Sequence, residues 1–173
     1  MFPRTCAIVF QEPRATLVLS VDHDCLSRLS MTKFEIEGYL GVWWEVARYP
    51  NYFEQGAAFA SAFYFPIVGG IGVLNTSFDQ NCRPISRILG RAVQVKGTTL
   101  AVKFPVATAW AEYKIEWVSD GYVYAIVGNT AKSQLWILAR GTITWGEYVE
   151  LRRVCDSLGY DHKRLLANLD PIF

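Results

Sequence analysis

Metal ligands, basic runs and apolar stretches of membrane length are scarce in this chain. It has two histidines, His23 and His162, and four cysteines, Cys6, Cys25, Cys82 and Cys155, with no Cys-x-x-Cys spacing. A zinc site is therefore not expected, and no metal ligand is assigned. Cysteines this sparse fit free thiols in a reducing compartment, with a Cys82–Cys155 disulfide as the rival. Lysine and arginine number 17 against 16 aspartate and glutamate, a net charge of +1, and no basic run occurs. That balance gives no electrostatic case for nucleic acid. No stretch approaches the ~20 apolar residues of a membrane span, so no transmembrane segment is expected, and peripheral membrane contact stays open. The apolar run from Cys6 to Phe10 is broken by Gln11-Glu-Pro-Arg14, and Ala15 to Val21 runs into Asp22-His-Asp24. Neither reads as a signal peptide, and the expected location is cytoplasmic. A Gly-x-Ser-x-Gly elbow and a convincing Ser/His/Asp set are both missing, so no catalytic residue and no cofactor is assigned.

What the chain does have is aromatic residues, 14% of the total, and a length of 173 residues. That length suits one domain with a core that needs no staples. Residues 1–30 carry Pro3, Pro13 and mixed charges without a turn–strand rhythm. They read as a weakly structured extension or an over-called start before Met31, with an added strand at Ala15–Val21 as the rival. The domain proper is 31–173.

From Tyr39 onward strand-like runs recur at 41–48, 58–65, 71–78, 87–95, 99–104, 112–118, 122–128 and 134–140. Pro50-Asn51, Lys96-Gly97, Pro105 and Asp120-Gly121 are among the breaks. Eight short strands with close turn signals read as a sandwich or an up-and-down barrel, and the short connections favour the meander. The period then changes. Thr144-x-x-Glu147 is a capping box, and Tyr148, Leu151, Val154, Cys155 and Leu158 share one helical face before Gly159. That face must bury itself on the outside of the sheet.

Strand parity assigns the interior. Tyr113, Ile115 and Trp117 alternate with Lys114 and Glu116, so the aromatic side faces in. Leu100, Val102 and Phe104 form the next inward set. Ala60, Ala62 and Tyr64, then Val73 and Asn75, then Gly90, Ala92 and Gln94 come next, and Gln134, Trp136 and Leu138 share the face of Arg140. Several of these are small. Eight strands enclose a space that large side chains just fill or small ones leave open, and on parity alone the two stay even. Trp43, two residues after Gly41, is placed inside, where the Arg140 guanidinium can stack on its indole and plug one end.

Gly41-x-Trp43, Asp120-Gly-Tyr122-Val-Tyr124 and Leu135-Trp-Ile-Leu-Ala-Arg140 resemble, in order, the three sequence blocks of the lipocalins. Tyr39-Leu-Gly-x-Trp-x-Glu-x-Ala-Arg48, Tyr124-Ala-Ile-Val-Gly128 and Gly159-Tyr-Asp161 are similar to the bacterial, plant and apolipoprotein D-like branch. The resemblance implies an all-β fold, an eight-stranded antiparallel up-and-down barrel with one C-terminal α-helix on its outside. It also implies a small hydrophobic ligand, a fatty acid, lysophospholipid or similar lipid. A lipocalin-type enzyme or a filled, ligand-free interaction protein are the alternatives. The expected ligand wall is Ala62, Tyr64, Val73, Asn75, Ala92, Val102, Phe104, Tyr113, Ile115, Trp117 and Trp136. Gly41, Trp43, Asp120, Tyr122 and Arg140 are expected to be structural. The chain departs from the branch at Trp44, where tyrosine is usual, and at Gly121, where a larger residue is common.

The open end would be built by loops 49–57, 79–86, 105–111 and 128–133. Tyr49, Tyr52, Phe53 and Trp110 are candidate aromatic lips, and Arg83, Arg87 and Lys132 candidate partners for a carboxylate or phosphate head group. Glu45 shares the Trp43 face, either hydrogen-bonded to a cavity tyrosine or solvated. A cavity-facing thiol of depressed pKa would mark an enzyme. The oligomeric state is not read from the sequence.

Overall fold

The computed structural model describes residues 34–52 and 54–168. The N-terminal extension lies outside them, and so does Phe53. Nine strands occur in order: β1 Gly41–Arg48, β2 Phe59–Ile67, β3 Gly70–Phe78, β4 Pro84–Lys96, β5 Thr99–Lys103, β6 Ala111–Val118, β7 Tyr124–Gly128, β8 Leu135–Ala139 and β9 Leu166–Ala167. A short helix α1, Ile36–Tyr39, precedes them, and α2, Trp145–Ser157, separates β8 from β9. Each neighbouring pair is antiparallel, and β1 pairs with both β2 and β8. The first eight strands therefore close into a barrel, with β9 added beside the end of β1. Among the described residues no helix is long and apolar enough to cross a membrane.

Alternation along the strands divides the apolar residues into two layers. The inner layer holds Trp43, Tyr64, Val73, Ala92, Leu100, Val102, Ile115, Val127 and Leu138. The outer layer joins Ala47, Ile126, Leu135, Ile137 and Ala139 to the buried face of α2, Tyr148, Leu151, Val154 and Cys155. The capping box sits as the sequence predicts: the Glu147 amide donates to Thr144 Oγ1 at 3.2 Å, and the Thr144 amide to Glu147 Oε2 at 2.6 Å. The other oxygen, Oε1, accepts from the Tyr124 hydroxyl at 2.6 Å, which ties the start of α2 to the barrel.

Among the described residues four ladders carry a one-residue register shift, and two of these move residues that parity had placed. In β6, Ile115 pairs with Val127 but Trp117 with Ile126, so Glu116 is extra. The slip turns Trp117 outward into the layer beneath α2. In β1, Glu45 pairs with Leu138 but Ala47 with Ile137, so Val46 is extra. Val46 and Ala47 consequently both lie in the outer layer. Arg48, opposite Trp136, is then buried together with Glu45 three residues earlier.

Cysteine pairing also differs from expectation. Cys82 is disulfide-bonded and Cys155 is a free, buried thiol. The Cys82–Cys155 bridge is therefore not formed, and the expectation of a free thiol holds for Cys155 and not for Cys82.

Candidate functional site

A cavity of about 300 Å³ opens at the end of the barrel where β1 finishes. Its wall is assembled by parity from small and aromatic side chains. Ala62 and Tyr64 come from β2, Val73 and Asn75 from β3, Val102 from β5, Tyr113 from β6, Trp136 from β8, and Phe104 from just beyond β5. The Phe104 ring lies over Gly90, where a Cβ would stand 2.6 Å from it, so the glycine makes room for the wall.

Three expected wall residues are elsewhere. Ala92 and Ile115 are buried in the inner layer but stand below the cavity among its floor residues. Parity fixes the side of a strand, not the depth. Trp117 is outside the barrel because of the β6 bulge. Gln94 does not reach inward either, its amide donating to the Gly97 carbonyl at 2.6 Å.

Other wall residues were not foreseen. Ser86 lines the cavity because β4 begins at Pro84, before the run read from the sequence, and Ile88, inside that run, lines it on the parity of Gly90. Val106 and Ala107 come from an irregular loop that has no period to read. Glu45, Asn51, Glu54, Glu112 and Gln134 bring polar groups toward the mouth.

The opposite end is closed by the predicted stack. The Arg140 guanidinium lies 3.8 Å from the Trp43 ring centroid. Its nitrogens donate to the carbonyls of Val42 at 2.7 Å, Leu40 at 2.8 Å, Gly38 at 2.9 Å and Tyr122 at 3.2 Å. Gly41 takes φ 100°, a conformation costly for any side chain, and a Cβ there would stand 3.1 Å from the guanidinium. Tyr122 accepts the Glu35 amide on its hydroxyl at 2.7 Å. Asp120 starts a short 3-10 turn, and Gly121 within it has φ 72°, which accounts for glycine where a larger residue is common.

Three tyrosines join the floor to the wall. Tyr64 donates to the Tyr113 hydroxyl at 2.6 Å, and Tyr113 meets the Tyr39 hydroxyl at 2.8 Å. Burial raises all three pKa values above the ordinary tyrosine range, Tyr64 to about 12, so they stay neutral. Three hydroxyl hydrogens and two contacts leave one hydrogen to donate.

The mouth carries an ionic cluster, which replaces both alternatives for Glu45, a bond to a cavity tyrosine and solvation. Arg48 Nη1 donates to Glu45 Oε1 at 2.5 Å and Nε pairs with Glu54 Oε2 at 3.1 Å. Its remaining bonds go to Asn168 and to the carbonyls of Glu54 and Ala57. The Nη groups are therefore spent inside the wall, while the buried Nε, ion-paired with Glu54, has no hydrogen-bond partner among the described residues. The carboxyl groups of Glu45, Glu54 and Glu112 line the cavity, and among the described residues no lysine or arginine does. The three cationic candidates face elsewhere. Arg87 and Arg83 are exposed, Arg87 on the outward side between the inward Ser86 and Ile88. Lys132 is held by Glu116 at 2.7 Å, over the Tyr160 ring on the outside. Of the lips, Tyr52 (81%) and Trp110 (48%) are exposed on their loops and form no part of the wall. Tyr49 is buried in the outer layer and donates to the Asp161 carbonyl at 2.9 Å.

Burial and the neighbouring Glu54 charge push the Glu45 carboxyl up to about 8, against the pull of Arg48. The folded state thus keeps a proton that the unfolded chain, titrating at its ordinary 4.5, has released. Stability contributed this way is complete below about pH 4.5 and declines as pH rises to about 8. Urea midpoints measured across that window should fall with pH, and Glu45→Gln should flatten the slope. An unchanged slope in the variant would assign the effect to another group.

Residues 34–169 match the family model described as a lipocalin-like domain. The outer membrane lipoprotein Blc of Vibrio cholerae is 31% identical over 143 residues, covering 79% of this chain and 82% of the relative. Temperature-induced lipocalin-1 of Arabidopsis thaliana is 28% identical, covering 75% and 76%. Among solved structures, insecticyanin from the tobacco hornworm Manduca sexta superposes with a TM-score of 0.61 at 17% identity, covering 79% and 80%. Lobster apocrustacyanin A1 gives 0.59 at 16%, covering 76% and 77%. The relatives overturn the cytoplasmic expectation: the V. cholerae protein and its Escherichia coli counterpart are outer membrane lipoproteins.

Proposed function

The chain belongs to the lipocalin-like domain family, and on that premise we propose that its barrel carries or sequesters a single-chain lipid. The observation that carries the reading is the cavity itself, about 300 Å³ walled by Ala62, Val73, Val102, Phe104, Tyr113 and Trp136. It reaches the lower end of the volumes that hold small ligands, ~300–1,000 Å³, and argues against a barrel filled by its own side chains. Burying ~14 methylenes at ~0.8 kcal/mol each gains up to ~11 kcal/mol, and association costs ~4 or more. The difference corresponds to an affinity in the micromolar range.

The acceptor-rich mouth favours one head-group chemistry within that class. Glu54 and Glu112 bring carboxylate acceptors to the rim, and Arg48 turns its Nη groups to Glu45, Asn168 and the carbonyls of Glu54 and Ala57. A lysophospholipid whose head carries an ammonium suits this rim better than a free carboxylate does. The cysteines support binding rather than catalysis. Cys155 is on the buried face of α2, where burial pushes its thiol up to about 12, the reverse of a nucleophile. A location in the envelope, at or near a membrane, fits the relatives and the disulfide at Cys82.

The test is displacement of a neutral fluorescent probe, N-phenyl-1-naphthylamine, by lysophosphatidylethanolamine and by oleate. Both should compete, the former more tightly. If neither displaces the probe, the carrier reading is wrong. If oleate wins, the head-group preference is wrong.

A further inference from the structure

The side of the barrel away from α2 carries a second surface. Outward positions of β1 to β5 align in rows across the sheet. Val42 stands opposite Phe63, which continues through Leu74 to Leu89. One row over, Phe65, Gly72, Arg91 and Lys103 align, and on the other side Arg87 stands beside the buried Thr76. The Phe63 and Phe65 rings stack at 5.2 Å, and Trp44, Phe59 and Phe78 form a second aromatic group, with Phe59 and Phe78 stacked at 4.9 Å. Solvent reaches 40% of Phe63, 42% of Val42 and 55% of Leu89. A row of exposed apolar residues across four strands is costly to leave uncovered and marks a contact surface.

Charge selects what it contacts. Between residues 59 and 103 the chain has five cations, Arg83, Arg87, Arg91, Lys96 and Lys103, and one acid, Asp79. Of the totals of 17 and 16, twelve basic and fifteen acidic residues remain elsewhere, so the small net charge hides a strongly divided molecule. Asp79 is occupied by the amides of Asn81 and Arg83, each at 2.8 Å. Among the described residues none of the five cations is in an ion pair. Two copies meeting through this face would bring the unpaired cations Arg87, Arg91 and Lys103 of both together. An anionic lipid surface supplies both things the face lacks, counter-charge for the arginines and an apolar boundary for the aromatic rings.

We propose that the outer face of β1–β5, centred on Phe63, Leu89, Arg87 and Arg91, docks the barrel on an anionic membrane surface. The docking leaves the cavity mouth free, since Arg87 and Arg91 point away from it while Ser86 and Ile88 line it.

Flotation of the full chain with vesicles is the experiment. Vesicles of phosphatidylcholine with about one third phosphatidylserine should bind at least ~10-fold more protein than phosphatidylcholine alone, and high salt should erase the difference. The double reversal R87E/R91E should lower binding by at least ~30-fold, from four units of charge, while probe uptake by the cavity stays at the wild-type level and reports the fold. Phe63→Ser should weaken binding with its salt dependence intact. Equal binding to both vesicles overturns the proposal, as does R87E/R91E binding like the parent. A dimer that dissociates on Phe63→Ser, with no vesicle binding, assigns the face to a second copy, and absence of both assigns it to an acidic protein.

Discussion

Replacing Ala62 with tryptophan is expected to abolish lipid uptake while leaving the barrel folded. Ala62 sits halfway up the wall, opposite Trp43 on one side and Asn75 on the other. Its side chain is a single methyl facing a space of about 300 Å³. An indole there projects across the path that an acyl chain must take. Excluding even four methylenes removes ~3 kcal/mol of burial, a loss of at least ~100-fold in affinity. The ring enters empty room rather than a packed site, so the change in stability should stay below the ~1–3 kcal/mol of a true overpacking. Probe titration and a thermal melt on the same preparation separate the two effects. Uptake at the parental level would place the lipid outside the barrel. Vesicle docking should be untouched by this variant, because Ala62 and the Phe63 face lie on opposite sides of the same strand.

That opposition of neighbouring residues is also why so much of the wall was legible in the sequence. In β6 the charged side, Lys114 and Glu116, had to face water, which placed Tyr113 correctly, and in β8 the face shared with Arg140 was taken as inward, which placed Trp136. Parity fails where the ladder gains a residue. Glu116 and Val46 are ordinary in sequence, yet each shifts the residues beyond it. Trp117 moves beneath the helix, and Arg48 is buried with Glu45 in the wall at the mouth. Parity is also blind to depth, so Ala92 and Ile115, on the correct side of their strands, lie below the wall expected to include them. The ionic cluster at the mouth was the least legible part. Asn168, next to β9, bonds an arginine 120 residues away, and no local pattern announces such a pair. The closed end was the most legible, since its tryptophan, glycine and arginine lie in the blocks that resemble the family.

The closed end is where a single substitution should cost the most stability. Trp43 is fully buried, stacked under Arg140, packed 5.1 Å from the Tyr39 ring centroid, and donates its indole N–H to the Tyr39 carbonyl at 2.8 Å. Trp43→Ala leaves a cavity, an orphaned carbonyl and a guanidinium without its aromatic face. The packing loss alone is ~3–5 kcal/mol, and the stacking adds ~1–2. For a domain of this size the melting temperature should drop by roughly 10–20 °C. Trp43→Phe keeps a ring beneath the guanidinium but not the indole donor, so it should recover more than half of the loss. Arg140→Lys should cost nearly as much as Trp43→Ala. An ammonium cannot span the carbonyls of Val42, Leu40 and Gly38 that the planar fork reaches at 2.7–2.9 Å. A small drop for Arg140→Lys would mean that the carbonyls are satisfied by water and that the charge alone matters. In every one of these variants, uptake measured well below the melting point should match the parent. The plug holds one end of the barrel shut, and the lipid enters and leaves through the other.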